Sequence, residues 1–272
     1  MSQSEQNAYI LGTEQAELHR LGLQHQVWSS EARKAWTTAE FSNGQTLLDL
    51  GCGPGFCTME MAYIAGEEGR VIGVDKSQGF INFLDHQAKL HGLNIDTQCT
   101  DFDGMQLDGY DLDGVYSRWA LAWIPNPQEV INKIAEAMKP GAVFAAHEYY
   151  DWSTLQTEPR LPGLATGIAG ALKSFREQDG DIDVGRHLPD MFFKAGLEVI
   201  STRPMTKLAT AGELVWEWPR SFFKIYFPKL VEPGFITQAE VEAALDDLEE
   251  LEFINGATIL CPQMVEVIAV KA

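Results

Sequence analysis

The sequence predicts an α/β fold: a mostly parallel, seven-stranded sheet with helices on both faces and an antiparallel last strand. Three observations predict it. Short apolar or β-branched runs alternate with helical patterns through the middle of the chain. The first such run ends in a cluster of glycines, as a sharp strand-to-helix turn requires. The final run, Met264–Lys271, is apolar apart from Glu266 and Lys271 and reads as a last strand returning to the sheet.

Taken in order, Thr46–Leu50 is the first strand and Phe56–Ala65 the helix after it. Arg70–Asp75 (RVIGVD) is β-branched and forms the second strand. Ser77–His91 reads as a helix, with Ser77 its N-cap and Gly92 its stop. Ile95–Cys99 and Leu112–Ser117 are strands three and four. Pro127–Met138 places Val130, Ile131, Ile134 and Met138 at helical spacing, and Lys139-Pro140-Gly141 ends it. Ala142–Tyr149 is strand five, Val184–Ala195 a helix closed by Gly196, and Glu198–Pro204 strand six. Three segments stand outside this rhythm: a helical lead-in at 1–43, an insertion at 150–182, and a largely helical stretch at 206–256 rich in Trp216, Trp218, Phe222, Phe223, Tyr226 and Phe227. One domain over 1–272, with 44–149 as its core, fits because the last strand must rejoin the sheet it left.

The chain has 272 residues, and its 39 acidic against 20 basic residues give a net charge of −19. Such a surface repels phosphate backbones, and no Lys/Arg cluster offsets it locally, so nucleic acid is not the expected partner. No apolar run approaches the roughly 18 residues of a membrane span. The polar, acidic start lacks the basic and apolar regions of a signal peptide. The expectation is a cytoplasmic protein, monomer or homodimer, without membrane insertion. Its four cysteines form no C-x-x-C pair and no zinc-like spacing with His, so reduced thiols and no metal are expected.

The most specific signal is Leu47-Leu48-Asp49-Leu50-Gly51-Cys52-Gly53-Pro54-Gly55. Glycines 51, 53 and 55 let a ligand approach the backbone, and the helix starting near Phe56 aims its free N–H groups toward it. Asp75 closes the next strand, at the distance along the chain where an acid meets ribose hydroxyls.

These residues resemble motif I of the class I S-adenosylmethionine-dependent methyltransferases. The likeness continues through Asp75, Thr100-Asp101-Phe102, the Leu112–Trp119 run and Lys139-Pro140-Gly141, over roughly residues 45–150. It looks closest to the small-molecule branch that includes quinone-biosynthesis-type enzymes. The resemblance implies a Rossmann-like sheet, S-adenosylmethionine as cofactor, and a small-molecule methyl acceptor. It places Asp49 at the amino-acid end of the cofactor, Asp75 at the ribose, and Asp101 with Phe102 at the adenine. Phe80 is a further candidate against the purine, and Lys76 and Ser117 complete the set. Arg20, Gln24 and His25, on a helix that also follows Tyr9 and Gly12, are candidates for the methionine carboxylate.

Two departures from the family pattern occur, Ala142 after Lys-Pro-Gly and Ser117-Arg118-Trp119 in the fourth motif, the latter unlike base-modifying enzymes. A dinucleotide oxidoreductase is disfavoured because Phe56 stands where G-x-G-x-x-G needs its third glycine. A non-catalytic binder of the same nucleoside is the other alternative. Should the acceptor need a base, His147 and Tyr149 at the end of strand five are the candidates, beside Glu148 and Tyr150; His147 and Glu148 alternate, so at most one faces the pocket. Trp119, Trp123, Trp152 and Trp216 are expected to wall the acceptor site, with 1–43 as a cap and 206–256 as a lid.

Overall fold

The structure, a computed structural model, describes residues 15–272. Tyr9 and Gly12 therefore lie outside the described residues. The elements are α1 Gln15–Thr38, β1 Thr46–Leu50, α2 Phe56–Ala65, β2 Arg70–Asp75, α3 Gln78–His91, β3 Ile95–Cys99, β4 Leu112–Arg118, α4 Pro127–Ala137 and β5 Met138–Asp151. There follow β6 Gln156–Glu158, α5 Pro162–Arg176, α6 Leu188–Lys194, β7 Leu197–Met205, β8 Leu208–Thr210, α7 Leu214–Tyr226, α8 Gln238–Phe253, β9 Thr258–Leu260 and β10 Gln263–Lys271.

The seven-stranded sheet runs β3-β2-β1-β4-β5-β10-β7. Neighbours from β3 through β5 pair in parallel, and β10 is antiparallel to both β5 and β7. The expected α/β architecture with its antiparallel last strand is thus the observed one. Central strands are apolar on both faces because helices cover both. In β1, Leu48 and Leu50 join the core under α4 and α6, whereas Leu47 joins the core under α1 and α2. Ser77 caps α3 by accepting from the Phe80 amide, and Gly92 ends it in a left-handed conformation.

Two boundaries differ from expectation by more than a residue or two. Lys139-Pro140-Gly141 does not separate helix from strand as a loop; α4 passes directly into β5, whose register with β4 slips between Leu112 and Gly114. The expected Val184–Ala195 helix is a single 3-10 turn at Val184–Arg186 followed by α6, because Pro189 sits in the first turn of the new helix.

The two late insertions meet. Strands β6, β9 and β8 form a small antiparallel sheet, and α5, α7 and α8 pack beside it around Trp216, Phe223, Phe227 and Leu248. Three residues per strand is too short for an alternation signal, so this sheet was not visible beforehand. The long helix α1 lies against α2 and α7, joining the sheet to this second cluster.

Candidate functional site

The strand order reverses between β1 and β4, since β1 is followed in the sheet by β2 on one side and β4 on the other. Open α/β sheets hold ligands at the carboxyl ends of such strands. Here those ends are the glycine bend after β1 and Arg118-Trp119 after β4. A cavity of about 460 Å³ lies over them.

The bend is tied to β2, because the Gly51 and Cys52 amides both donate to the Val74 carbonyl, at 2.9 and 3.0 Å. Gly51, Gly53 and Gly55 all have positive φ, which side chains tolerate poorly. Their surroundings differ. A Cβ on Gly51 would stand 2.5 Å from Ala120 Cβ, and one on Gly55 2.2 Å from Leu84 Cδ1. A Cβ on Gly53 would meet nothing within 4 Å. Gly51 and Gly55 serve close packing, while Gly53 faces open space on the cavity wall.

Asp75 is buried at the same edge. Its Oδ2 accepts from the Gly53 amide at 2.9 Å and its Oδ1 from the Ser77 amide at 2.8 Å. Two backbone donors fix the carboxylate, and each oxygen keeps lone-pair capacity toward the cavity. Burial raises its pKa, while those two amides hold it down. Asp49 is buried beneath the bend and accepts from Thr58 Oγ1 at 2.6 Å. Burial pushes its pKa to about 6, against the opposing effects of the Thr58 hydrogen bond and the nearby Arg118. Asp101 is exposed on the rim and accepts from the Gly104 amide at 2.9 Å; Lys76 and Phe102 also line the cavity.

Sequence reasoning gave Arg118 no role, yet it lines the cavity. Its Nη2 lies 3.4 Å from His25 Nδ1, its guanidinium stands 5.2 Å from the Trp119 ring centre, and its Nη1 is buried without a hydrogen-bond partner. An orphaned buried guanidinium proton is costly unless a ligand takes it. The sequence held one signal for it: a cation at a strand's carboxyl end in a strongly acidic chain. Arg20 also lines the cavity, held by a two-pronged contact with Glu17 at 2.7 and 2.8 Å. Gln24 Oε1 accepts from both Arg20 Nη1 and Trp218 Nε1, joining α1 to α7.

Beyond Arg118 the wall becomes aromatic. Trp119 has positive φ and stacks between Tyr149 and Trp218, with ring centres 5.7 and 5.6 Å apart. Glu148 Oε1 accepts from the Ala120 and Leu121 amides, both at 2.9 Å, and so holds the turn that carries Trp119. Burial lifts Glu148 to about 8, despite those backbone donors. Trp123 and Trp152 line the cavity as expected positions, alongside Phe175, Trp218, Phe222 and Tyr226.

Other expected site residues are elsewhere. His147 is fully buried and does not reach the cavity: β10 closes over it. Its Nε2 pairs with Glu266 at 3.0 Å and its Nδ1 with the Tyr116 hydroxyl at 3.1 Å, so it is a structural contact, not an accessible base. Burial keeps its pKa low despite the carboxylate. Burial also works against ionising Glu266, but hydrogen bonds from His147 and Arg203 hold it at about 2, so the carboxylate is the charged member of that pair. Trp216 is turned into the core of the second cluster, because the phase of α7 gives the cavity Trp218 and Phe222 instead. Ser117 is buried and off the cavity, since strand alternation turns it away from Arg118. Gly55 lies behind the wall against Leu84, Phe80 is in the α3 core, and His25 contacts Cys57 and Glu60 outside the cavity. Tyr149 is the one of the two expected catalytic residues that lines the cavity. Among the described residues no His, Cys, Asp or Glu cluster could hold a metal, and no helix is long and apolar enough to cross a membrane.

Comparison with known proteins follows the same geometry. A family model described as a methyltransferase domain matches residues 41–178. The ubiquinone biosynthesis O-methyltransferase of Coxiella burnetii is 32% identical over 99 residues, covering 36% of this chain and 41% of the relative. The biotin biosynthesis bifunctional protein BioHC of Teredinibacter turnerae is 32% identical over 112 residues, covering 38% of this chain and 19% of the relative. The chain thus spans less than half the length of these curated relatives. The geranyl diphosphate C-methyltransferase of Streptomyces coelicolor, solved with geranyl diphosphate and S-adenosyl-L-homocysteine, superposes with a TM-score of 0.56 at 12% identity, over 91% of this chain and 80% of that one. That likeness is one of fold.

Proposed function

This chain belongs to the methyltransferase-domain family, of the class I, S-adenosylmethionine-dependent kind, and from that premise we propose that it methylates a small-molecule acceptor. The carrying observation is Asp75: a buried carboxylate fixed by two backbone amides at the edge of a cavity whose floor is the glycine bend. The residues fit S-adenosylmethionine. Asp75 offers acceptors to a sugar diol, Gly53 leaves room where a Cβ would stand, and the orphaned Arg118 Nη1 offers a donor to a carboxylate, beside Arg20. Asp49 would balance the ammonium, and Asp101 with Phe102 and Lys76 would border the base.

When bound, the cofactor supplies a methyl group on a sulfonium, an already activated leaving group. The chain then has to position the acceptor and exclude water. Trp119, Trp123 and Trp152, together with Trp218, supply a wall that does both. Tyr149, stacked on Trp119, is the proposed catalytic or positioning group nearest the carboxyl end of β5. We read residues 1–43 as cap, 44–149 as cofactor core, and 150–182 with 206–256 as acceptor lid of one domain, acting in the cytoplasm as monomer or homodimer. The test is incubation with methyl-labelled S-adenosylmethionine and a metabolite extract. Label entering a small organic product is expected; nucleoside binding without any incorporation would overturn the enzymatic reading.

A further inference from the structure

The cavity wall divides at residue 118. Its charged residues, among those described, all lie at or before that position, from Arg20 to Arg118. Every lining residue from Trp119 onward is uncharged. The far half is rich in rings that pack on one another, Trp152 edge-on to Phe175 at 5.1 Å and Phe175 and Phe222 each stacked on Tyr226 at 5.2 and 5.0 Å. The Tyr226 hydroxyl in this half is engaged with Ser174 Oγ at 2.9 Å.

Resting on the methyl-transfer reading above, we infer that the acceptor is an uncharged, ring-bearing apolar molecule that lies against the wall formed by Trp152, Phe175, Phe222 and Tyr226. The uncharged lining disfavours charged alternatives. An ammonium buried here has no carboxylate to pair with, and unpaired buried charge is strongly unfavourable. Cation–π attraction to these rings offsets only part of that cost, and the Trp119 ring is already engaged by the Arg118 guanidinium, 5.2 Å from its centre. A carboxylate in the far half meets no Lys or Arg among the lining residues from Trp119 onward. A flat neutral ring instead gains offset or edge-to-face contacts with the walls.

The test uses the whole protein saturated with S-adenosylhomocysteine, titrated with 2-naphthol, 2-naphthoate and 2-naphthyltrimethylammonium by calorimetry. The expected result is naphthol at least tenfold tighter than either charged probe. A charged probe binding as tightly as naphthol, or no probe binding at all, overturns the inference. Phe222→Asp, which places an unpaired carboxylate in this half, should weaken naphthol at least tenfold and strengthen the ammonium; an unchanged ranking in variant protein that still binds the nucleoside overturns the siting. Should the variant lose its fold, the wild-type ranking decides. Failure of the wild type to bind S-adenosylhomocysteine defeats the proposed function itself. Nucleoside binding with the wrong probe ranking defeats only the acceptor class.

Discussion

The two halves of the cavity are made by different means. The half over β1 and β2 is assembled from backbone: amides at Gly51, Cys52, Gly53 and Ser77 fix a bend and a carboxylate, and buried acids sit under it. The half under α5 and α7 is assembled from side-chain rings, with few polar groups to define direction. A backbone-built site has demanding geometry and so a recognisable sequence. A ring-built site has many solutions, so its sequence says only that it is aromatic. The cofactor end of such a protein is therefore readable from its residues, and the acceptor end is not.

The sharpest way to break this contrast is Asp75→Ala. Loss of charge-assisted hydrogen bonds of about 1.5–3 kcal/mol should lower S-adenosylhomocysteine affinity by roughly 10- to 100-fold. Calorimetric affinity equal to wild type would mean that the charged half does not hold the sugar. The glycines come next. Gly51→Ala drives a Cβ into Ala120 and should cost about 1–3 kcal/mol of stability, read from the denaturation midpoint. Gly53→Ala, at open space, should cost about 1 kcal/mol of backbone strain, yet weaken nucleoside binding. Equal stability losses and equal nucleoside affinities would erase the distinction between packing and ligand-facing glycines.

A pH series sharpens the same picture. The folded-state pKa of Asp49, about 6, lies above its ordinary carboxylate value, so its contribution to stability is present at low pH and is lost as pH rises toward 6. Binding should respond in the opposite sense, nucleoside affinity increasing severalfold from pH 5 to pH 7 as the carboxylate ionises. Asp49→Asn should flatten that rise and, at pH 7.5, stabilise the unliganded protein by on the order of 1 kcal/mol. An unchanged slope in the variant would place the titration elsewhere.

The smallest expected effect is in the wall that joins the halves. Glu148, at about 8, is neutral near pH 7, and its stabilising contribution fades as pH rises from the ordinary carboxylate range through 8. Glu148→Gln keeps an oxygen for the Ala120 and Leu121 amides, so melting at pH 7 should change by less than about 1 kcal/mol. At pH 9 the variant should be the more stable protein. Marked destabilisation of the variant at pH 7 would mean that the native group is ionised there.

Much of this was legible because it is local. The glycine bend, Asp75 and the alternation of strands with helices each sit within a few residues of sequence. What was not legible depends on partners far along the chain. His147 looked available from its place on β5, but Glu266, 119 residues later, closes its face. Trp216 and Trp218 are two positions apart, and only the packing of α7 decides which meets the cavity. Strands β6 and β8, one in each insertion, exist only through pairing with β9, just after the second insertion. Arg118 was passed over because its burial, and the missing partner of its Nη1, are three-dimensional facts.

The most direct measurement is a crystal structure of the chain soaked with S-adenosylhomocysteine. Ribose hydroxyls are expected within hydrogen-bond distance of the Asp75 carboxylate, the homocysteine carboxylate at Arg118, and the sulfur facing the aromatic half. A nucleoside bound away from Asp75, or density absent over the Gly51–Gly53 bend at saturating ligand, would contradict this placement.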